Sequence, residues 1–210
     1  VEVLDRGARV RVQPGVTVRQ VNARLAPHGW SLGPDPASES ACTLGGVVAN
    51  NSSGMACGTE FNTYNTLESL TFVLPSGTVI NTADADADRQ FQAQEPELVD
   101  TLIRLQRRVR DNQESVDIIR RHFKLKNTMG YGLNSFLDFD SPVKLFEHLL
   151  VGSEGTLAFI AEAVFRTVHI SSLTTTTVAV FNNLSAATKA LPSLVETGAA
   201  TLELMDSASI

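Results

Sequence analysis

Between Gly33 and Gly58 the chain loses regular hydrophobic periodicity and crowds glycine, proline, serine and asparagine into one stretch. A loop of that length inside a compact domain usually carries function. Its two richest parts are Gly33-Pro34-Asp35-Pro36-Ala37-Ser38 and Thr43-Leu44-Gly45-Gly46-Val47-Val48-Ala49-Asn50-Asn51-Ser52-Ser53-Gly54. Glycines let backbone approach a flat or anionic ligand with no Cβ in the way, and they leave N–H groups free to point at it. Glycine pairs also serve tight packing, so the segment alone leaves ligand binding and packing open. Neither GxGxxG after a first strand nor GxxxxGK[ST] is present, which disfavours a Rossmann or P-loop fold.

The flanks have clear local signals. Val1–Leu4 and Ala8–Val12 alternate apolar and polar residues around Asp5-Arg6-Gly7 and predict a hairpin. Thr17 and Gln20 form a capping box ahead of Val18, Val21 and Leu25, which predicts a short amphipathic helix. Leu67–Leu74 and Thr78–Thr82 read as strands joined through Pro75-Ser76-Gly77. Asp84–Asp88 reads as an exposed acidic loop, and it lacks the glycine and terminal glutamate of a calcium loop. Pro96 opens a helix with Leu98, Leu102, Leu105 and Val109 on one face; further helices are expected near Val116–Phe123 and after Ser141-Pro142. Gly152-Ser153-Glu154-Gly155 then turns the chain into a strand-like run, Thr156–Val168. Beyond it, Val178–Phe181, a helix from Ser185 to about Gly198, and Thr201–Met205 read as a β-α-β unit.

Composition narrows the function classes. The chain is 43% hydrophobic and 19% charged, which excludes disorder, and no apolar run reaches the roughly 18 residues of a membrane span. A net charge of −6 argues against a nucleic-acid partner. The basic run Arg104–Arg110 reads as a solvated helix face. Cys42 and Cys57 make neither a disulfide framework nor a metal spacing, which fits a reduced, cytoplasmic setting. The four histidines, His28, His122, His148 and His169, read as surface or packing residues, and no metal site is expected.

The order of motifs carries more than any one of them. Pro14-Gly15, Gly33-Pro34-Asp35-Pro36, Thr43-Leu44-Gly45-Gly46 with Ala49-Asn50 and Gly54, Leu74-Pro75-Ser76-Gly77, Gly130-Tyr131-Gly132-Leu133 and Gly152-Ser153-Glu154-Gly155-Thr156-Leu157 follow one another. That succession resembles the FAD-binding domain of the vanillyl-alcohol-oxidase (PCMH-type) superfamily, in particular its D-lactate dehydrogenase and glycolate oxidase FAD-subunit group. The resemblance implies an α+β fold with a mixed, largely antiparallel sheet and flanking helices. It makes residues 1–168 the second subdomain of the FAD-binding domain, with the first subdomain before Val1, and residues 169–210 the beginning of an α+β cap or substrate domain.

Carried over residue by residue, the resemblance places Pro34, Asp35, Pro36 and Ser38 beside the flavin and its ribityl-phosphate chain. Thr43, Gly45, Gly46, Asn50 and Gly54 would supply the floor and N–H donors, while Glu154, Gly155 and Ile160 would close around the nucleotide half. No catalytic residue is assigned within the chain. The implied reaction is oxidation of a 2-hydroxy acid such as D-lactate or glycolate by hydride transfer to flavin N5, with electrons passed to a quinone or an iron–sulfur protein or domain. The intact parent is expected in the cytoplasm or at the membrane periphery. The alternatives are another flavin-dependent alcohol or sugar oxidase, or a catalytically silent fragment without flavin. Cys57-Gly58-Thr59-Glu60 departs from a Tyr-Gly pair common in the family. Without a pyrophosphate loop the chain forgoes charge-assisted hydrogen bonds of about 1.5–3 kcal/mol each, so weak or absent FAD retention is expected.

Overall fold

The computed structural model describes residues 1–128 and 130–208, in two compact units, Val1–Ile170 and Ser171–Ile210. The first unit is built on one long strand. β6 (Phe159–His169) pairs antiparallel with β2 (Arg9–Val12), β3 (Trp30–Leu32) and β4 (Leu67–Val73). β1 (Glu2–Leu4) and β5 (Val79–Asn81) extend the sheet to the order β1-β2-β6-β4-β5, with β3 on β6 off that path. All these pairings are antiparallel. The two expected hairpins are both present, turning through Asp5–Gly7 and Pro75–Gly77. Local turn residues dictate them.

Helices cover the sheet where their apolar stripes demand it. α1 (Val18–Leu25) has the full capping box, Thr17 accepting from Gln20 N and Gln20 accepting from Thr17 N, and buries Val18, Val21 and Leu25. α2 (Leu44–Asn50) and α3 (Thr63–Thr66) lie within and just after the glycine-rich segment expected to be loop. α2 forms because Leu44, Val47 and Val48 all face the core, which outweighs the poor helix propensity of Gly45 and Gly46. α4 (Ala87–Gln94) was likewise hidden behind an Ala/Asp alternation; its Phe91 is fully buried and packs with Phe72 and Phe146 at ring separations of 6.0 and 5.5 Å.

α5 (Pro96–Arg110) occupies its expected span, rotated from the expected face. Val99, Leu102 and Gln106 are buried, whereas Leu105 is 39% exposed. The buried amide is tolerated because Gln106 Nε2 donates to the carbonyls of Phe136 (3.3 Å) and Phe139 (2.6 Å). α6 (Gln113–His122), α7 (Ser135–Asp138) and α8 (Pro142–Leu150) complete the unit, with Ser141 capping Lys144 N.

The second unit contains α9 (Leu184–Glu196), capped by Asn183. The expected strands 178–181 and 201–205 carry no ladder among the described residues. Two short runs joined by a crossover helix offer too little pairing to hold a parallel sheet. The large apolar side chains here stay exposed, Leu173 at 88% and Val180 at 90%.

Candidate functional site

The glycine-rich segment docks on the turn after β2. Leu44 N donates to Val16 O (2.8 Å) and Gly45 N to Pro14 O (2.9 Å), fixing the start of α2. Two of its glycines are required by packing. A Cβ on Gly45 would meet Pro14 Cβ at 2.7 Å, and one on Gly54 would meet Asp35 O at 1.9 Å. Gly46 is different: a Cβ there would touch only Thr43 Oγ1, at an ordinary 3.7 Å. The fold makes no demand for glycine at that position.

Gly46 lines a cleft of about 600 Å³, within the size range of small-molecule and cofactor sites. One wall is the helix face of Gly45, Gly46 and Ala49, a second is Leu74 and Pro75 at the end of β4, and the third runs from Glu154 to Ile160. The third wall is bonded to the first, Gly152 N to Val48 O (3.0 Å) and Glu154 N to Ala49 O (2.8 Å). Glu154 has φ of +52°, in the left-handed region, and its carboxylate accepts from Asn50 Nδ2 at 2.7 Å. Asn50 Oδ1 in turn accepts from Ser52 Oγ at 2.9 Å.

The structure thus brings Gly45, Gly46, Glu154, Gly155 and Ile160 together around one cleft, with Asn50 attached through Glu154. Pro34, Asp35, Pro36, Ser38, Thr43 and Gly54 are not among its lining residues. Asp35 is occupied elsewhere: its carboxylate accepts from Ala56 N (2.9 Å) and Cys57 N (3.1 Å), anchoring the loop that follows α2. Burial pushes the Cys57 thiol pKa up, and Asp35 adds to the rise against a lowering contact with Gly54. Ser38 O accepts from Ala41 N and Cys42 N at the surface.

Several residues absent from the sequence assignment hold this site. Asn51 ends α2 at φ +51° and is buried; its Oδ1 accepts from Tyr64 N and its Nδ2 donates to Asn127 O, both at 3.3 Å. Asparagine just past a helix end was the available signal. Lys126 Nζ donates to Gly54 O (3.0 Å), and the hydroxyls of Tyr131 and Thr156 share a 2.7 Å bond at the cleft rim. Asn127 thus meets the end of α2 and Tyr131 the third wall; Met129 between them lies outside the described residues.

A second concavity of about 320 Å³ sits by Leu67, at the opposite end of β4. Beside it Glu147, fully buried, accepts from Leu70 N (3.0 Å) and from the Thr82 hydroxyl, and it pairs with Lys144 at 3.0 Å. His148 is buried, stacked on Phe139 at 4.0 Å, with Nδ1 at 3.0 Å from Lys144 O. Tyr64 donates to Asp138 at 2.9 Å; burial, reinforced by that carboxylate, raises its pKa.

Residues 1–83 match the family model described as an FAD binding domain. This part of the chain is similar to an FAD-binding domain. Over 202 residues, 94% of the chain, it is 29% identical to D-2-hydroxyglutarate dehydrogenase of Haemophilus influenzae, of which it covers 20%. Over 59 residues, 27% of the chain and 12% of the relative, it is 46% identical to glycolate oxidase subunit GlcD of Escherichia coli K12. The chain spans about a fifth of the length of the D-2-hydroxyglutarate dehydrogenases it matches. Its fold is shared with the solved structure of an alkyldihydroxyacetonephosphate synthase, at a TM-score of 0.53 and 20% identity over 94% of this chain and 26% of that one.

FAD is the cofactor that the matching family binds, and the cleft can be tested against it. A bare glycine, Ala49, Leu157 and Ile160 suit a flat, largely apolar ring system. Glu154 is the single ionisable side chain in the lining, so no cation there neutralises a pyrophosphate. The lining suits a flat ring better than a pyrophosphate.

Proposed function

We propose that the chain is the flavin-holding part of an enzyme that oxidises a 2-hydroxy acid. The observation that carries this reading is Gly46, a glycine the fold does not need, at the floor of a cleft the size of a cofactor site. Bound FAD would supply the hydride acceptor that no side chain can provide. The chain's own residues orient it. Gly46 and Ala49 keep the floor flat, Leu157 and Ile160 exclude water from one wall, and Glu154, held by Asn50, offers an acceptor to a ring N–H. Asp35, Gly54 and Lys126 position the loop beyond α2 rather than touching the ring.

The activities of the relatives support the substrate class, and D-2-hydroxyglutarate, glycolate and D-lactate are its candidate members. A quinone or an iron–sulfur protein or domain is the proposed electron acceptor. Residues 1–168 are assigned to the FAD-binding domain and 169–210 to the start of a cap. The test is anaerobic addition of each hydroxy acid to the flavin-loaded intact protein, of which this chain is the flavin-holding part and inactive alone. Loss of the flavin's visible absorption with one of them is expected; loss only with a sugar or a simple alcohol would overturn the substrate class.

A further inference from the structure

The concavity of about 320 Å³ beside Leu67 lies at the opposite end of β4 from the proposed flavin cleft, and no step of the proposed reaction uses it. Tyr64, Leu67, Phe139, Lys144 and His148 line it, together with the exposed Glu68. Most of the polar groups here are committed to the protein itself. Lys144 Nζ donates to Glu68 O at 2.8 Å and to the two Glu147 carboxylate oxygens at 3.2 and 3.0 Å, so its three N–H bonds and its charge are matched. The Tyr64 hydroxyl donates to Asp138, and the Glu68 carboxylate meets Arg9 at 3.4 Å.

His148 is the exception. It sits in the last turn of α8 and is 5% exposed, with its ring stacked on Phe139 at 4.0 Å and edge-on to Tyr64 at 4.8 Å. Its Nδ1 lies 3.0 Å from Lys144 O and 3.3 Å from Glu147 Oε2. Both are acceptors, so the neutral ring carries its proton on Nδ1 and keeps a lone pair on Nε2. Nε2 has no partner among the described residues. A buried acceptor without a donor is unfavourable. A water molecule there would need roughly two to four polar partners, and the groups around it are aromatic, aliphatic or already bonded.

We propose that this concavity binds a phenol group, whose hydroxyl donates to His148 Nε2 and whose ring lies among Tyr64, Leu67 and Phe139. This does not rest on the flavin reading. The volume is at the lower end of small-molecule sites, with room for a single ring rather than a nucleotide. A carboxylate or phosphate is disfavoured, because Glu147 already neutralises Lys144 and the acidic Glu68 stands beside it. A hydrocarbon ring fills the same space and leaves Nε2 unmet. A phenol is uncharged at neutral pH and carries one strong donor on an apolar ring. It reaches such a site either as a free small molecule or as a tyrosine side chain.

The test is calorimetric titration of the intact protein with p-cresol, with p-methylanisole, which has the same ring without the donor, and with N-acetyltyrosinamide. Saturable binding of p-cresol is expected, with p-methylanisole bound about tenfold more weakly. His148→Asn keeps a donor near Lys144 O and loses the acceptor, so it should weaken p-cresol about tenfold. His148→Gln brings an amide oxygen near the Nε2 position and should restore most of that loss. His122→Asn changes an exposed histidine elsewhere and should bind as the wild type. N-acetyltyrosinamide binding as tightly as p-cresol supports a tyrosine side chain as the occupant, and its exclusion supports a free phenol. Equal affinity for p-cresol and p-methylanisole in the unaltered protein, no saturable binding, or an equal loss in His122→Asn overturns the proposal.

Discussion

The two ends of β4 handle polar chemistry in opposite ways. Near Leu67 and Leu70, side chains converge and satisfy one another: Glu147 with Leu70 N, Thr82 and Lys144, His148 with Lys144 O, Tyr64 with Asp138. Near Leu74, the cleft is walled by glycine, backbone and aliphatic surface, and Glu154 is its single ionisable side chain. A network closed except at His148 Nε2 serves the fold first. An open cleft with a glycine that packing does not require has capacity that the fold leaves unused. The difference separates polar residues that serve the fold from the cleft proposed to bind, although the first set looks more like an active site.

The comparison can be broken by substitution. The largest effect is expected for Glu147→Ala, which takes the buried carboxylate from the Thr82 hydroxyl and the Lys144 ammonium, while Leu70 N keeps Thr82 Oγ1 and Lys144 keeps Glu68 O; a loss of about 2–4 kcal/mol should appear in denaturant unfolding. A loss under about 1 kcal/mol would mean that the closed end is not structural. Gly54→Ala comes next, at about 1–3 kcal/mol, because its methyl must displace the Asp35 backbone.

Tyr64→Phe should cost about 1 kcal/mol near neutral pH and also change the alkaline limb. The folded-state pKa of Tyr64 lies above the ordinary 10, so below that pH both states keep the proton. Above it the unfolded chain ionises first, and stability falls as pH rises. The phenylalanine variant should show a shallower alkaline fall in thermal melts. The smallest effect concerns Cys57, whose buried, raised-pKa thiol should alkylate more slowly in the folded chain than after unfolding, as read by mass spectrometry.

Elements with strong local signals were legible in the sequence. Asp5-Arg6-Gly7 and Pro75-Ser76-Gly77 set the hairpins, Thr17–Gln20 set α1, and Ser141-Pro142 set α8. What tertiary packing decides was not. The Leu44, Val47, Val48 spacing of α2 was visible, but two glycines masked it. α5 turned to bury Gln106 in place of Leu105 because carbonyls of Phe136 and Phe139 await it, and no count of apolar residues could reveal those partners. The strands expected around α9 lacked a neighbour to pair with.

The site was legible to a similar depth. Glycine richness marked α2, yet only neighbouring atoms separate Gly46 from Gly45 and Gly54. Composition drew attention to Asp35 and Gly54, which prove to pack against each other away from the cleft lining. Lys126 and Tyr131 reach the site from the far side of two helices, across a sequence distance that short motifs do not span.

The claim that the open cleft holds the flavin is tested most directly by titrating FAD into the intact wild-type protein and into its Gly46→Leu variant, following the flavin's fluorescence. The Cβ of the added side chain makes only an ordinary 3.7 Å contact with Thr43 Oγ1 and the helix accepts leucine better than glycine, so the variant should melt within about 1 kcal/mol of the wild type. Its affinity for FAD should nonetheless fall by about tenfold or more, a loss of at least roughly 1.4 kcal/mol. Equal affinity for the two proteins, or no saturable change with the wild type, would contradict the account.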